Sequence, residues 1–262
     1  MNIIKDTLVY FFRVISASIG YISYFIAIIV FLCIGLPFFL LFFWHKRLRK
    51  FLMYKTLKGY TYFLTRIWLP LLRIYSIKEI SGQNPKTIKG SIIVANHRGR
   101  LDALLLLSML EPTAIVIKSK YTKIPIYLSF VKLLDFISIN QDSYESLNAA
   151  TAKCKEVLKK GLNVLIFPEG TRANPGKILP FKPFAFKLAI EEKKEVIPVV
   201  IHSGLPFMAK CKGSIFPKRH FNYTVRFLES QKPLEGESAI DFAYRIQLII
   251  ERNLKELDKK KL

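Results

Sequence analysis

The chain reads Ile-Ile-Val-Ala-Asn-His-Arg-Gly-Arg-Leu-Asp over residues 92–102 and Val-Leu-Ile-Phe-Pro-Glu-Gly-Thr-Arg over residues 164–172. Each stretch begins as a short apolar run rich in β-branched residues and continues into polar residues. Such runs are typical of buried parallel strands, and in open α/β sheets the reactive groups gather just beyond the carboxyl ends of the strands. The two stretches therefore predict a parallel sheet with a functional site at one edge.

Short apolar runs alternate with helical patterns on both sides of these stretches. This alternation predicts an α/β fold with a mostly parallel central sheet flanked by helices. We expect strands over residues 91–95, 113–118, 136–140, 163–167, 195–201 and 222–229. We expect helices over residues 102–110, 123–133, 143–160, 182–193 and 237–258. The helix over 143–160 has the strongest signals, with Asp142 and Ser143 as cap candidates and Gly161 as its stop.

His97 and Asp102 supply a base and a carboxylate that orients it. Imidazole titrates near neutrality, so His97 can take a proton from a hydroxyl group without being permanently charged. If the chain turns into a helix after His97, Asp102 lies about one turn further on and can accept the Nδ1 proton. Many unrelated chains contain this spacing, and the alternative is a surface histidine or a hydrogen-bonded core histidine.

The second motif offers an anion site. Gly170 has no Cβ, Thr171 has a hydroxyl and Arg172 has a guanidinium, which suits a loop that wraps a phosphate. Glu169 either orients the bound molecule or Arg172, or holds the loop through backbone N–H groups. An ordinary turn is the alternative for the motif as a whole, because Pro-Glu-Gly is good turn chemistry.

Together, in this order, the two motifs resemble those of the glycerolipid acyltransferases of the lysophosphatidic acid acyltransferase type. The resemblance covers roughly residues 79–205, and the hydrophobic N-terminus fits it as well. It implies that His97 and Asp102 are the catalytic pair and that residues 167–172 are the acceptor-binding block. Pro180-Phe181-Lys182 and the apolar run over residues 196–201 resemble later stretches of the family.

The resemblance implies acyl transfer. His97 would deprotonate the free hydroxyl of a lysophospholipid, most simply lysophosphatidic acid, and the alkoxide would attack a thioester carbonyl. Backbone N–H groups around Gly170 would meet the oxyanion. The chemistry requires no metal and no cofactor, and acyl coenzyme A or acyl-acyl carrier protein is the co-substrate. The candidates for binding the acceptor's phosphate are Arg172, Lys118, Arg98 and Arg100.

The chain also departs from the family pattern. Arg98-Gly99 stands where Gln-Ser is usual, Lys120 where Glu is usual, and Leu128 near an expected Gly. Asn140-Gln141 replaces an Asp-Arg pair whose Arg is associated with the acceptor's phosphate. The acceptor is therefore less well defined than the reaction. Acyl transfer to another head group, a membrane lipid-binding protein without catalysis, and a hydrolase that uses water remain alternatives.

The N-terminus indicates a membrane protein. The run from Val14 to Phe43 has no formal charge, and the mean hydropathy of the chain is +0.26. About 20 apolar residues cross a bilayer core, so this run predicts one tilted span, or a hairpin in one leaflet if Gly35 and Pro37 break it. We expect residues 1–78 to form a membrane-anchoring segment and residues 79–262 the acyltransferase domain.

Basic residues follow the apolar run, and the positive-inside rule places them and the catalytic domain on the cytoplasmic face. The segment Phe51–Tyr75 mixes aromatic residues and Leu with Lys and Arg. It predicts an amphipathic helix in the membrane interface that Pro70 ends or kinks. Packing of this helix on the catalytic domain is the alternative.

A formal net charge of +22 is typical of proteins that bind nucleic acid. The sequence has no Cys/His finger, no aromatic RNA-binding strand and no basic region with heptads. Anionic membrane lipids, an anionic acceptor and an acidic donor such as acyl carrier protein or coenzyme A are the expected partners instead. Cys33, Cys154 and Cys211 lack the short spacings of a disulfide framework or a metal site, and a nucleophilic cysteine is the least favoured alternative.

Overall fold

The computed structural model describes residues 2–41, 44–174, 177–203 and 220–259. Its centre is a sheet of seven strands, β1 Tyr75–Gly82, β2 Ile92–Ala95, β3 Thr113–Lys118, β4 Ile137–Ile139, β5 Asn163–Ile166, β6 Val196–Ser203 and β7 Phe221–Phe227. The spatial order is β1-β7-β6-β2-β5-β3-β4. All neighbouring pairs are parallel except β6 and β7, which are antiparallel. The predicted mostly parallel sheet is therefore confirmed.

The helices are α1 Asn2–Leu41, α2 Lys46–Tyr62, α3 Leu69–Leu71, α4 Leu101–Met109, α5 Pro125–Leu133, α6 Tyr144–Lys159, α7 Phe184–Glu191 and α8 Ala239–Lys259. A π-helical turn, Phe63–Trp68, joins α2 to α3, and a 3-10 turn, Ser119–Lys123, precedes α5. The predicted helix over 143–160 is confirmed as α6. Ser143 caps its start, with Oγ accepting from the Ser146 N–H at 3.2 Å, and Gly161 lies just after its end with a φ of +75°.

Helices cover both faces of the sheet. One core joins the α2 and α4 side chains to one face, and the other joins α6, α7 and α8 to the opposite face. In α8 the buried side chains recur every three to four residues, as expected for a helix that packs one stripe on a sheet: Phe242, Ile246, Ile250, Leu254 and Leu257. Because both faces are covered, β2 and β5 are buried along their whole length.

Strand β1 was not predicted, and the expected helix up to Tyr75 is wrong at its end. Helix α3 stops at Leu71, one residue after Pro70, and Tyr75 already lies in β1, where its hydroxyl donates to the Thr65 carbonyl at 2.6 Å. The strand alternates buried and exposed residues and pairs with the distant β7, so its apolar signal is weak. The expected domain boundary between residues 78 and 79 falls inside β1, and the division itself stays a prediction.

The N-terminal helices lie side by side. Trp68 Nε1, in the π-helical turn after α2, donates to Ser23 Oγ in α1 at 2.8 Å. Between these two residues the chain reaches the end of α1 and returns through α2. Helix α2 therefore runs along α1 in the opposite direction. Helix α1 continues through Gly35 and Pro37, so the alternative of a hairpin within this run is wrong for residues 2–41. Residues 6–30 of α1 are long and apolar enough to cross a membrane.

The segment after α1 has features of both predicted alternatives, an interfacial amphipathic helix and a helix packed on the catalytic domain. Met53, Tyr54 and Leu57 of α2 are buried in the core shared with α4. Other apolar side chains of the segment, Phe63 and Leu71 among them, are exposed. The helix therefore packs on the domain with one face and offers an apolar surface with the other.

Candidate active site

The turn from β2 into α4 builds a His–Asp pair. Asp102 lies in the first turn of α4, and its Oδ2 is 3.0 Å from His97 Nδ1. The same oxygen accepts the backbone N–H groups of Arg98 at 2.6 Å and Gly99 at 2.7 Å. The Asp102 side chain is fully buried, whereas that of His97 is 20% exposed. Three donors thus fix the carboxylate, and Nε2 is the ring nitrogen left for proton transfer.

Glu169 joins the two motifs through the backbone. Its Oε1 accepts the His97 N–H at 2.7 Å, and its Oε2 accepts the Leu179 N–H at 2.9 Å. The Ala173 N–H donates to the His97 carbonyl at 2.9 Å, which closes the connection. Burial raises the pKa of the Glu169 carboxyl, and the two N–H groups oppose that rise. Of the two roles expected for Glu169, these contacts support the backbone role.

Two further neighbours hold His97 in place. The Phe167 ring stacks on the imidazole with centroids 4.2 Å apart. Asn96 exchanges two hydrogen bonds with the backbone of Ile201 in β6, at 2.9 and 2.8 Å. Asn96 was not among the predicted site residues, although its position directly after a strand is a signal for such a clamp. The turn that carries His97 is therefore fixed to the two strands that flank β2.

Arg100 and Arg172 come together near one tyrosine. Burial raises the pKa of Tyr127 in α5, and the positive charges of Arg100 and Arg172 oppose this rise. The same two guanidinium groups also interact electrostatically with the Tyr21 side chain of α1. Lys118 ends β3 at the same carboxyl edge of the sheet, and Thr171 is partly exposed beside Arg172. Both guanidinium groups, two of the four expected cations, are thus within electrostatic reach of the same two tyrosines.

Arg98 does not join them. Its side chain is only 5% exposed, and burial lowers its pKa while the negative charges of Asp258, Asp102 and Glu169 oppose that shift. The guanidinium is therefore compensated by carboxylates inside the protein. The contact of Arg98 with the acceptor's phosphate stays a prediction, and this burial does not favour it, because a buried cation that faces carboxylates is poorly presented to a ligand.

The loop at Gly170 reveals a residue that sequence reasoning missed. Gly170 has a φ of +63°, and a Cβ at this position would lie 3.2 Å from Gln141 Oε1 and 3.5 Å from Lys182 Cε. Lys182 Nζ donates to Gln141 Oε1, and the Lys182 N–H donates to the Pro168 carbonyl at 3.0 Å. The sequence signal for Lys182 was the resemblance of Pro180-Phe181-Lys182 to a later stretch of the family. Lys182 therefore places an ammonium group beside the loop.

The Gly170 N–H itself donates to the Phe167 carbonyl at 3.0 Å. The Gly170 donor is therefore used within the turn, and the expectation that N–H groups around Gly170 meet the oxyanion stays a prediction.

Two of the three cysteines, Cys33 and Cys154, lie in the described residues. Cys154 is fully buried in α6, and burial raises the pKa of its thiol to about 12, so it is not a nucleophile at neutral pH. Cys33 is exposed on α1, and Cys211 lies outside the described residues. His202 is buried near the end of β6 and contacts Asp258 at 2.8 Å. Within the four described ranges, no three His, Cys, Asp or Glu side chains are grouped as metal ligands would be.

Residues 77–202 match the family model described as Acyltransferase. The chain is 28% identical over 216 residues to the chloroplastic 1-acyl-sn-glycerol-3-phosphate acyltransferase LPAT1 of Arabidopsis thaliana. The aligned region covers 81% of this chain and 56% of the relative. It is 30% identical over 145 residues to the 1-acyl-sn-glycerol-3-phosphate acyltransferase of Borreliella burgdorferi, with 55% of this chain and 57% of the relative covered. The chain thus spans about half the length of the curated relatives it matches.

A solved structure has the same fold over nearly the whole chain. The 1-acyl-sn-glycerophosphate (LPA) acyltransferase PlsC from Thermotoga maritima superposes with a TM-score of 0.72 at 22% identity, covering 98% of each chain. The expected resemblance and the α/β architecture are confirmed.

Proposed function

We propose that this chain, whose residues 77–202 match the Acyltransferase family model, transfers a fatty acyl group from a thioester donor to the free hydroxyl of a lysophospholipid. The preferred acceptor is lysophosphatidic acid, which gives phosphatidic acid for phospholipid biosynthesis. The observation that carries the proposal is the 3.0 Å contact between His97 and the buried Asp102, next to a pair of arginines. The names of the curated relatives support the same reaction.

His97 acts as the general base in this proposal. With Nδ1 held by Asp102, Nε2 takes the proton of the acceptor hydroxyl as the new oxygen–carbon bond forms at the thioester carbonyl. The tetrahedral intermediate then collapses, the carbon–sulfur bond breaks, and the thiolate leaves with the proton that His97 returns. The buried carboxylate stabilises the imidazolium that forms between these two steps.

Three cations form the proposed site for the acceptor's phosphate. Arg172 and Arg100 share the neighbourhood of Tyr127, and Lys182 lies over the Gly170 loop. An arginine binds two phosphate oxygens at once, whereas a lysine supplies a point charge. Lys182, held by Gln141, supplies a positive charge close to where the family pattern has an arginine. Lysophosphatidic acid is therefore the first acceptor to test, with other head groups as the alternative.

The donor and the setting complete the proposal. Acyl coenzyme A or acyl-acyl carrier protein serves as co-substrate, and the reaction as written needs no other cofactor. In this proposal helix α1 attaches the protein to the membrane and the domain lies on the cytoplasmic face, next to anionic lipids. The apolar length of α1 and the basic residues at the start of α2 support this arrangement.

The test is a thioester-cleavage assay of the full chain in mixed micelles, run with and without lysolipid. Thiol release that requires lysophosphatidic acid and yields phosphatidic acid supports the proposal. Release without acceptor indicates a hydrolase, and no turnover with either donor indicates a lipid-binding protein. The His97→Ala variant should lose about 10²–10⁴-fold in turnover if His97 is the base, and activity within a few fold of the unmodified protein contradicts that role.

The acceptor assignment has its own test. Lys182→Met removes a charge without shortening the side chain greatly, and it should raise the Michaelis constant for lysophosphatidic acid more than that for the donor. Lys187→Met, on an exposed part of α7, is the matched control. Gln141→Arg restores the family pattern. If it improves the use of lysophosphatidic acid, the unmodified pocket is adapted to another head group, and no change leaves lysophosphatidic acid as the acceptor.

A further inference from the structure

A cavity lies at the edge of the sheet opposite His97. It has a volume of about 750 Å³ and is bounded by α2, the end of α4 and the amino ends of β3 and β5. His97 follows the carboxyl end of β2, so the body of the sheet separates the two places. The cavity is therefore outside the proposed catalytic site, and its size is that of a pocket for a small molecule.

The wall of this cavity is strongly cationic. Two of its residues are carboxylates, Glu111 and Asp135, and each is already paired with a lysine of α2: Lys58 at 2.9 Å and Lys50 at 2.6 Å. Four further cations line the wall, Lys46, Arg47, Lys55 and Lys160, of which Lys160 is paired with Glu156 outside the wall. The cations thus outnumber the carboxylates of the wall six to two, which favours an anionic occupant.

The floor of the cavity is apolar. Leu57, Leu107 and Leu110 belong to the core on this side of the sheet, and Leu162 packs against that core. Phe51, which is 55% exposed, contributes an aromatic ring to the wall. A free inorganic anion would use the cations and make no contact with the apolar side chains of the lining. An occupant that satisfies both parts of the cavity needs a negative head group and a hydrocarbon chain.

The cavity also lies next to the membrane anchor. Lys46 and Arg47 are the first residues of α2, and the apolar α1 ends at Leu41 only five positions earlier. The candidate span of α1 ends at Val30, and the basic start of α2 follows it by 16 positions. A cluster of basic residues on a helix that follows a membrane helix is a usual feature of anionic-lipid recognition.

We propose that this cavity, lined by α2 and the ends of α4, β3 and β5, binds one anionic phospholipid of the surrounding membrane. The phosphate contacts Lys46, Arg47 and Lys55, and part of an acyl chain covers the leucine floor. The site is separate from the acceptor site at Arg172 and holds its lipid without chemical change.

The experiment is native mass spectrometry of the full chain in detergent micelles, where no bilayer surface is present. The probes are dioleoyl phosphatidylglycerol, dioleoyl phosphatidylcholine and soluble glycerol phosphate. The test variant is Lys46→Gln/Arg47→Gln/Lys55→Gln. The control is Lys187→Gln/Lys232→Gln/Lys255→Gln, which removes the same charge from exposed positions away from the cavity. Arg172→Gln shows whether the lipid occupies the acceptor site instead.

We expect one phosphatidylglycerol bound in preference to phosphatidylcholine. Each basic residue near an anionic head group contributes roughly fivefold in affinity, so the test variant should bind roughly 100-fold more weakly. The control and Arg172→Gln should bind as the unmodified protein does. If thermal unfolding shows that the triple variant is not folded, the single exposed substitution Arg47→Glu gives the same comparison.

Several results would overturn the proposal. Equal binding of the two lipids removes the role of charge, and equal loss in the test and control variants removes the cavity as its location. Loss of binding in Arg172→Gln places the lipid at the acceptor site. Displacement of the lipid by glycerol phosphate alone shows an anion site without a role for the acyl chain.

Discussion

Replacing Asp102 by Asn tests the central geometry of the site. In the structure Oδ2 accepts from His97 Nδ1, the Arg98 N–H and the Gly99 N–H, whereas the buried Oδ1 has no hydrogen-bond partner among the described residues. An Asn side chain keeps all three contacts if its amide oxygen takes the place of Oδ2. The opposite orientation would point an NH2 group at three donors. The first orientation therefore prevails, and the amide NH2 takes the buried position of Oδ1.

The substitution should lower both the thermal stability and kcat. An unsatisfied buried NH2 group costs about 1–3 kcal/mol, and 2 kcal/mol corresponds to about 4–8 °C in Tm. Loss of the carboxylate removes the ion pair with the His97 imidazolium. A pair at about 4 Å in an effective dielectric of 20 contributes about 4 kcal/mol, which we lower to about 3 kcal/mol because His97 is partly exposed. That loss corresponds to about 10²-fold in kcat.

The assay measures thiol release with lysophosphatidic acid as acceptor, together with thermal unfolding in the same detergent. We expect kcat to fall about 10²-fold while the Michaelis constants of both substrates change by less than about threefold. Glu235→Gln, a carboxylate-to-amide change at an exposed position, is the control and should alter neither quantity. A kcat within fivefold of the unmodified protein, or an effect confined to a Michaelis constant, would refute the role given to Asp102.

Three further predictions concern the phosphate site, the anchor and the buried thiol. Arg172→Lys should raise the Michaelis constant of the acceptor far more than that of the donor, since a charge-assisted contact of about 1.5–3 kcal/mol depends on the planar guanidinium. Equal effects on both constants would remove the assignment. Ile26→Lys/Ile29→Lys changes two exposed positions of α1, 54% and 60% exposed, and should release the protein from membranes in a carbonate wash, because each Lys in a bilayer core costs about 2.5–3.5 kcal/mol. Unchanged retention would contradict a spanning role for α1. Cys154, with a thiol pKa of about 12, should resist alkylation at pH 8 until the protein is unfolded, and peptide mapping that finds rapid modification in the folded protein would contradict its burial.

The sequence alone determined the parts of this protein that depend on local pattern. The apolar runs before His97 and Glu169 identified two central strands, because a strand buried on both faces must be apolar along its length. Periodicity and capping identified α6 from Ser143 to Gly161. The uncharged run identified α1, since hydrophobic length is a property of a single segment.

The tertiary structure decided what depends on groups distant in the chain. Strand β1 forms only because β7 pairs with it, and its half-polar sequence gives no strong local signal. Arg98 and Arg100 stand two positions apart in one motif, yet the first is buried against carboxylates and the second lies with Arg172. No sequence rule separates them, since the direction of a side chain in a turn depends on what packs around it.

The same limit applies to the two loops of the site. Glu169 accepts N–H groups from His97 and Leu179, and Lys182 approaches Gly170 across the loop that follows β5. The motifs predicted which types of residue form the site, because chemistry restricts which side chains serve as base, carboxylate and cation. The motifs did not predict the partners of these residues. Hydrogen bonds and ion pairs between distant segments form only after the sheet has brought the carboxyl ends of β2 and β5 side by side.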